Sequence, residues 1–183
     1  YGDGPVVHGV DLAVTGGRVH ALLGMNGAGK STLVHIAAGF FSPTRGEIRI
    51  DDEPVRFASP ADALRRGVAL LAQEVDRALV ADATVHENLT ASTLAHERRR
   101  VFSKKRNLAR ARETLQRYGV DLDPSRMVSE LTQYEKQVLL LVRAAAANAR
   151  FLFLDEPTSA FDVSETERFY RINVEASRSK KGT

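Results

Sequence analysis

Gly24-Met25-Asn26-Gly27-Ala28-Gly29-Lys30-Ser31 decides how the rest of this 183-residue chain is read. The stretch satisfies G-x-x-x-x-G-K-[ST] at every fixed position. Residues 18–23 before it form a short apolar-rich run after Gly16-Gly17, which predicts a buried strand. Residues 30–38 after it have helical composition and stop at Gly39. Strand, loop and helix in that order are the context the motif requires. Glycines leave the backbone free to wrap a phosphate with its amides turned inward, and the helix start adds partial positive charge. Lys30 is placed for the β- and γ-phosphates of a nucleotide and the Ser31 hydroxyl for Mg²⁺. Glycines at 24, 27 and 29 do not fit the dinucleotide spacing G-x-G-x-x-G.

A second feature, far along the chain, belongs to the same chemistry. The apolar run Phe151-Leu152-Phe153-Leu154 predicts a buried strand that delivers Asp155 and Glu156 at its carboxyl end. Open α/β sheets bind ligands at that edge. Asp155 then assists the magnesium ion, and Glu156 polarises the attacking water as general base. Gln73 follows another strand candidate, residues 68–72, so its amide emerges at the same edge to ligate magnesium or orient water.

The remaining elements follow from local signals. Residues 6–14 are valine-rich and read as a strand interrupted by Gly9; residues 47–50 and 54–57 read as short strands around Asp51-Asp52-Glu53. Ser59-Pro60 has the pattern of a helix cap followed by proline at the first helical position. Thr84-Val85-His86-Glu87 and Thr132-Gln133-Tyr134-Glu135 both have capping-box spacing, and residues 104–118 form a helix ending at Gly119. Strands alternate with helices at both ends around a helical middle, which predicts an α/β core with a helical insertion.

Composition narrows the classes. At 43% hydrophobic and 27% charged, the chain is neither disordered nor a coiled coil. It has no cysteine, so disulfide scaffolds and thiolate metal sites are excluded. The longest apolar run, residues 138–142, is far short of the roughly 20 residues that span a bilayer. No signal-peptide pattern opens the chain. A net charge of +3 does not argue for a nucleic-acid binder. The charge is uneven: Arg98, Arg99, Arg100, Lys104, Lys105, Arg106, Arg110 and Arg112 lie close together with Glu97 as the one acid among them. A solvated helix face is the favoured reading of that run, and a patch for phosphate or anionic lipid is the functional one.

These residues, in this order, resemble the ATPase domain of ABC transporters, a P-loop NTPase fold with a helical subdomain. Gly24 to Ser31 looks like the Walker A loop, Gln73 the Q-loop, Phe151 to Glu156 the Walker B strand with its glutamate, and Ser159-Ala160-Phe161-Asp162 the D-loop. Tyr1 sits where the family places an aromatic that stacks on adenine. The segments Ser59-Pro60-Ala61-Asp62-Ala63, Gln73-Glu74 and Gly119-Val120-Asp121-Leu122-Asp123-Pro124 look most like the ATPases of bacterial sugar importers of the ribose, galactose and xylose type. The resemblance implies a nucleotide-binding core at 1–73 and 149–183, with a helical subdomain at 74–148 that includes the signature helix. It implies ATP and Mg²⁺ as cofactors, with Lys30, Gln73 and Glu156 catalytic and Ser31, Gln73 and Asp155 at the metal. Tyr1, Gly24, Asn26, Gly27, Ala28, Gly29, Lys30, Ser31, Thr32, Asp155, Asp162, Leu131 and Thr132 are its expected nucleotide contacts. Implied partners are a second ABC ATPase domain, in the same polypeptide or another, permease subunits and, indirectly, a solute-binding protein, with no nucleic acid. The implied place is the cytoplasmic face of the plasma membrane, peripherally bound.

Two departures qualify the resemblance. The family signature, usually LSGGQ, is here Leu131-Thr132-Gln133-Tyr134-Glu135. Gln133 and Tyr134 replace small residues that allow close backbone approach, and Glu135 brings a carboxylate to a helix start that otherwise favours phosphate. This points to an asymmetric pair, with a working Walker side here and a weakened signature lent to the other site. The family also places a switch histidine about thirty residues beyond the Walker B aspartate; His8, His20, His35, His86 and His96 all lie upstream and do not match it. Both ends therefore read as cut, and such a fragment is expected to turn over ATP poorly. The leading function is an ATPase domain energising a sugar importer. The alternatives are a nucleotide-holding half that does not hydrolyse, and a soluble ATPase of this fold acting on nucleic acid or the ribosome.

Overall fold

A computed structural model of the chain describes residues 6–16, 18–71, 75–94, 103–147 and 149–178. The expected Tyr1 and Gln73 contacts, and Arg98, Arg99 and Arg100 of the basic run, lie outside the described residues. The chain divides into two compact units, Tyr1–Leu70 with Ala149–Asp155 and Leu71–Asn148 with Glu156–Thr183.

In the first unit, helix α1 spans Lys30–Ala37 and ends before Gly39, as the sequence predicts. Strands β1 (Ile48–Ile50) and β2 (Glu53–Val55) pair antiparallel, with Ile48 opposite Val55 and Ile50 opposite Glu53. Asp51 and Asp52 make the turn with φ of 53° and 65°, the doubly left-handed geometry that matches strand twist in a tight hairpin. Helix α2 (Pro60–Arg65) starts where expected: the Ser59 hydroxyl accepts the Asp62 amide at 3.2 Å and Pro60 occupies the first turn. Strand β3 (Val68–Leu71) pairs with β4 (Phe151–Leu154). Gly67 receives the amides of Arg150 and Phe151 on its carbonyl, and the Arg150 guanidinium forks onto both oxygens of Asp51 at 2.8 Å. The hairpin turn is thereby tied to the start of β4.

Residues 6–14 and 18–23 depart from expectation. Neither forms a strand among the described residues, and their apolar side chains apart from Val7 are exposed, Val19 at 70% and Leu23 at 89%. Apolar composition signals a wish for burial but does not supply the neighbouring strands whose hydrogen bonds make a buried strand.

The second unit carries most of the core. Helix α3 (Val85–Leu94) opens on the predicted capping box: Glu87 Oε2 accepts the Thr84 amide at 2.8 Å. Helix α4 (Lys104–Arg117) is capped by Ser103 and buries Asn107, Ala111 and Leu115, the i, i+4, i+8 stripe of an amphipathic helix. Helix α5 (Gln133–Ala146) is buried from Gln137 through Val142, because α3, α4, α6 and the 3₁₀ turn at 75–77 all pack on it. Leu139 and Leu141 are fully buried there. Each contributes roughly 1.5–3 kcal/mol by removal from water. Helix α6 (Val163–Arg178) packs on α5, and its Phe169 is fully buried. Its place in this unit differs from the expected grouping of 149–183 with the nucleotide-binding core. Among the described residues, no helix is long and apolar enough to cross a membrane.

Candidate functional site

The glycine loop is shaped before any ligand is considered. Gly27 and Gly29 have φ of 78° and 86°, where L side chains rarely go. A Cβ on Gly29 would also sit 3.0 Å from the Val6 carbonyl oxygen and 3.1 Å from Val7 Cγ2, so glycine is required there twice over. At Gly24 a Cβ would meet only ordinary contacts, the nearest at 3.6 Å, so the chain's own packing does not demand glycine there. The Ala28 amide donates to the Met25 carbonyl at 3.2 Å and rounds the turn that carries Asn26.

Gly29 is the N-cap of α1. It offers no side-chain cap, and no acid occupies the first turn. The early amides of Lys30, Ser31 and Thr32 therefore face outward from a positive helix end with no anion of their own. Lys30 Nζ lies over the same loop, donating to the carbonyls of Gly24 at 2.7 Å and Met25 at 2.9 Å. A cation, a glycine turn and a free helix start together make an anion cradle.

Two residues 124 positions apart meet beside it. Ser31 Oγ donates to Asp155 Oδ1 at 3.1 Å. Helix α1 brings the hydroxyl and the end of β4 brings the carboxylate, as the sequence expects. Hydroxyl plus carboxylate is a hard oxygen donor pair, suited to Mg²⁺. His35 plays a structural part: its Nδ1 lies 2.6 Å from the Ser31 carbonyl oxygen, and its ring meets Phe40 edge-on at 5.1 Å.

In the second unit, Glu156 is exposed with φ of 46°. A non-glycine residue in that region stores strain of order 1–3 kcal/mol, and such residues cluster at functional positions. Asp162, expected at the nucleotide, serves here as the cap of α6. Its Oδ1 accepts the Glu165 amide at 2.8 Å and the Ser164 hydroxyl at 2.9 Å. Those two bonds, the amide first, hold its carboxyl below the usual carboxylate range.

The start of α5 carries its own capping box. Thr132 Oγ1 accepts the Glu135 amide at 3.2 Å, while Glu135 Oε2 accepts the Thr132 amide at 2.8 Å. Arg126 donates to Glu135 Oε1 at 2.7 Å. The carboxylate that threatened to repel phosphate is thus folded back onto the cap and neutralised. Leu131 is buried beneath it. Tyr134 turns into its own chain, its ring edge-on to Phe161 at 5.3 Å, and Phe161 in turn meets Phe169 at 5.7 Å. On the other side Lys136 pairs with Asp76 at 2.7 Å. The sequence reading missed Arg126, and no local signal marks it: it lies nine positions before Glu135, across loop and helix.

Comparison with known proteins follows the same lines. A sequence profile described as ABC transporter matches residues 7–159. The chain is 39% identical to a ribose import ATP-binding protein of Escherichia coli O157:H7, over 94% of this chain and 33% of that protein. It is 41% identical to a ribose import ATP-binding protein of Rhodopirellula baltica over 89% of this chain and 32% of the relative. Against an arabinose import ATP-binding protein of Pectobacterium atrosepticum the identity is 39%, over 91% of this chain and 32% of the relative. The chain thus spans about a third of the length of these curated relatives. Among solved structures, a nucleotide-free ATP-binding cassette of an ABC transporter superposes with a TM-score of 0.80 at 20% identity, covering 98% of this chain and 74% of that one. A dimeric ATP-binding cassette bound to ADP and phosphate superposes with a TM-score of 0.76 at 22% identity, over 95% and 75%. The phosphate-type loop, the hydroxyl–carboxylate pair beside it and a family match over most of the chain place it together: the chain belongs to the ABC transporter family.

Proposed function

We propose that this chain binds and hydrolyses ATP with Mg²⁺ as the ATPase domain of a sugar importer, peripherally bound at the cytoplasmic face of the plasma membrane. The observation that carries the reading is the meeting of Ser31 and Asp155 beside a glycine loop already holding Lys30. The loop amides and Lys30 bind the phosphates. Ser31 and Asp155 would hold Mg²⁺, which when bound compensates phosphate charge, with Gln73 the third expected ligand. Glu156 directly follows Asp155 in the chain, orders the attacking water and takes its proton as the bond from the γ-phosphorus to the bridging oxygen breaks. ATP and water give ADP and phosphate. Tyr1 would stack on adenine. Support for sugar import comes from the names of the ribose and arabinose relatives.

A second ATPase domain, in the same polypeptide or another, completes the composite site, with permease subunits and a solute-binding protein beyond it. The pair is asymmetric: Gln133 and Tyr134 stand where small residues would let a partner's nucleotide approach the start of α5. This domain supplies a hydrolysing loop to one site and a crowded helix start to the other. The test is MgATP turnover by the transporter complex, wild type beside Glu156→Gln. A fall of about 100-fold or more is expected for a lost general base. Unchanged turnover would assign hydrolysis to the other domain and leave this one as a nucleotide-holding half.

A further inference from the structure

We propose that the solvent face of α4 is a docking surface for an anionic lipid bilayer. The helix carries Lys104, Lys105, Arg106, Arg110, Arg112 and Arg117 against one acid, Glu113. All six cations are exposed. This one helix holds more net positive charge than the +3 of the whole chain, so the remainder of the molecule is net acidic. The packed side of α4 is Asn107, Ala111 and Leu115, buried, with Leu108 and Thr114 half-buried beside them.

The placement runs against local electrostatics. A helix start is the positive end of the dipole and favours acids. Here the first turn holds Lys104, Lys105 and Arg106 and no acid. The fold does little to compensate. Among the described residues, Lys104, Lys105, Arg106 and Arg112 make no salt bridge, although Glu87 lies in electrostatic range of Lys104 and Asp123 of Arg112. Arg117 reaches Glu113 only at 3.9 Å. Lys104, Lys105 and Arg106 weaken their own helix start with no salt bridge among the described residues, and exposed charge so placed is available to an external anion.

The shape of the face selects the partner. Helical spacing puts Lys105 and Arg112 on one flank and Arg106, Arg110 and Arg117 on the other, with Ala109, Glu113 and Gln116 between them. The face is a convex rod roughly 20 Å long. It has no aromatic residue on which bases could stack, so it lacks the second half of a single-strand nucleic-acid platform. Lipid headgroups are flat-lying, laterally mobile anions that rearrange to meet cations on both flanks of such a rod, and the long stems let the charges reach them. The proposal takes the nearby membrane from the importer reading, but its test needs no ATP.

The experiment is flotation of the protein with vesicles of phosphatidylglycerol and phosphatidylcholine, beside phosphatidylcholine alone. Binding to the anionic vesicles only, weakened by chloride and phosphate equally at matched ionic strength, is expected. Each cation at an anionic surface is worth about fivefold in partitioning. The variant Lys105→Gln/Arg106→Gln/Arg112→Gln should therefore partition about 100-fold less well. Its melting temperature should be unchanged or higher, since the first turn loses unfavourable charge, and this separates lost docking from lost folding. Arg45→Gln/Arg56→Gln, exposed cations elsewhere, should partition as wild type. Equal binding to neutral vesicles, no loss in the triple variant, or tighter binding to RNA or duplex DNA than to anionic vesicles would each overturn the proposal. Nucleotide binding measured in parallel keeps the two readings apart: lipid binding without ATP binding sinks the importer reading and leaves this one standing.

Discussion

Tyr134 and Phe161 meet edge to face, with ring centroids 5.3 Å apart and planes at 73°. The contact joins the start of α5 to the segment that leads into α6. It uses a side chain where the family signature has none, so the bulk proposed to crowd a partner's nucleotide also ties two loops of this chain together. An aromatic pair of this geometry contributes about 0.5–1.5 kcal/mol beyond its buried area. A double-mutant cycle of Tyr134→Ala and Phe161→Ala in urea should return a coupling of about 1 kcal/mol. Additive losses would mean that the rings are merely neighbours.

The Ser31–Asp155 pair predicts a metal-dependent defect. Ser31→Ala should weaken ATP binding by about tenfold with Mg²⁺ present and leave binding in EDTA nearly unchanged, because in the proposed site the hydroxyl would serve the metal rather than the phosphate directly. Equilibrium titration with a fluorescent ATP analogue in both conditions checks it. An equal loss in both conditions would place Ser31 on the phosphate.

Glu156 should show stability and activity pulling apart. Its φ of 46° costs less with glycine, so Glu156→Gly should raise the stability by a few tenths to about 1 kcal/mol while turnover collapses. Glu156→Gln keeps the strained backbone and should lose turnover with no gain in stability. Thermal melts and turnover on the same preparations decide the matter.

Glu135 predicts an acid dependence. Burial pushes its carboxyl up, but the Thr132 amide and the Arg126 guanidinium outweigh that, so its pKa falls below the ordinary 4.5. A group depressed on folding stabilises the fold above its unfolded pKa and loses that contribution as pH falls through the folded value. Wild type should therefore hold its urea midpoint down to about pH 4.5 and lose part of it below. Glu135→Gln, which keeps a capping side chain without the charge, should start lower at neutral pH and change less on acidification. Parallel curves for the two proteins would remove Glu135 from the account.

The hairpin turn offers a gain. Asp52 at φ 65° adopts a conformation that glycine holds at less steric cost. Asp52→Gly should stabilise by about 0.5 kcal/mol, whereas Asp52→Val should cost more than about 1 kcal/mol. Asp51 is not equivalent, because both its oxygens hold Arg150.

What the sequence made legible was the chemistry written in adjacent residues. Both capping boxes and the Ser59-Pro60 helix start depend on partners a few positions away and formed as read, and β4 formed ahead of Asp155, half-buried rather than buried. Pairing across the chain was legible only where a motif supplied both halves, as for Ser31 and Asp155. Arg126 with Glu135, Arg150 with Asp51 and Lys136 with Asp76 have no motif, so nothing in their neighbourhoods announces them. Residues 18–23 failed for the opposite reason: their composition is that of a buried strand, but a strand is completed by its neighbours. Asp162 shows a third kind of limit, since the same carboxylate is a good cap and a plausible nucleotide contact, and only geometry shows which bonds it makes.

The Lys30 ammonium, bonded to the Gly24 and Met25 carbonyls, sets a threshold for what the loop admits. An incoming phosphate exchanges one pair of acceptors for another, so a weakly charged ligand gains almost nothing from the swap. A chain of several anionic oxygens, spanning the lysine and the helix start at once, would shift the balance. Under the proposed function, the loop would thereby discriminate by charge density before any contact with a base or sugar is made.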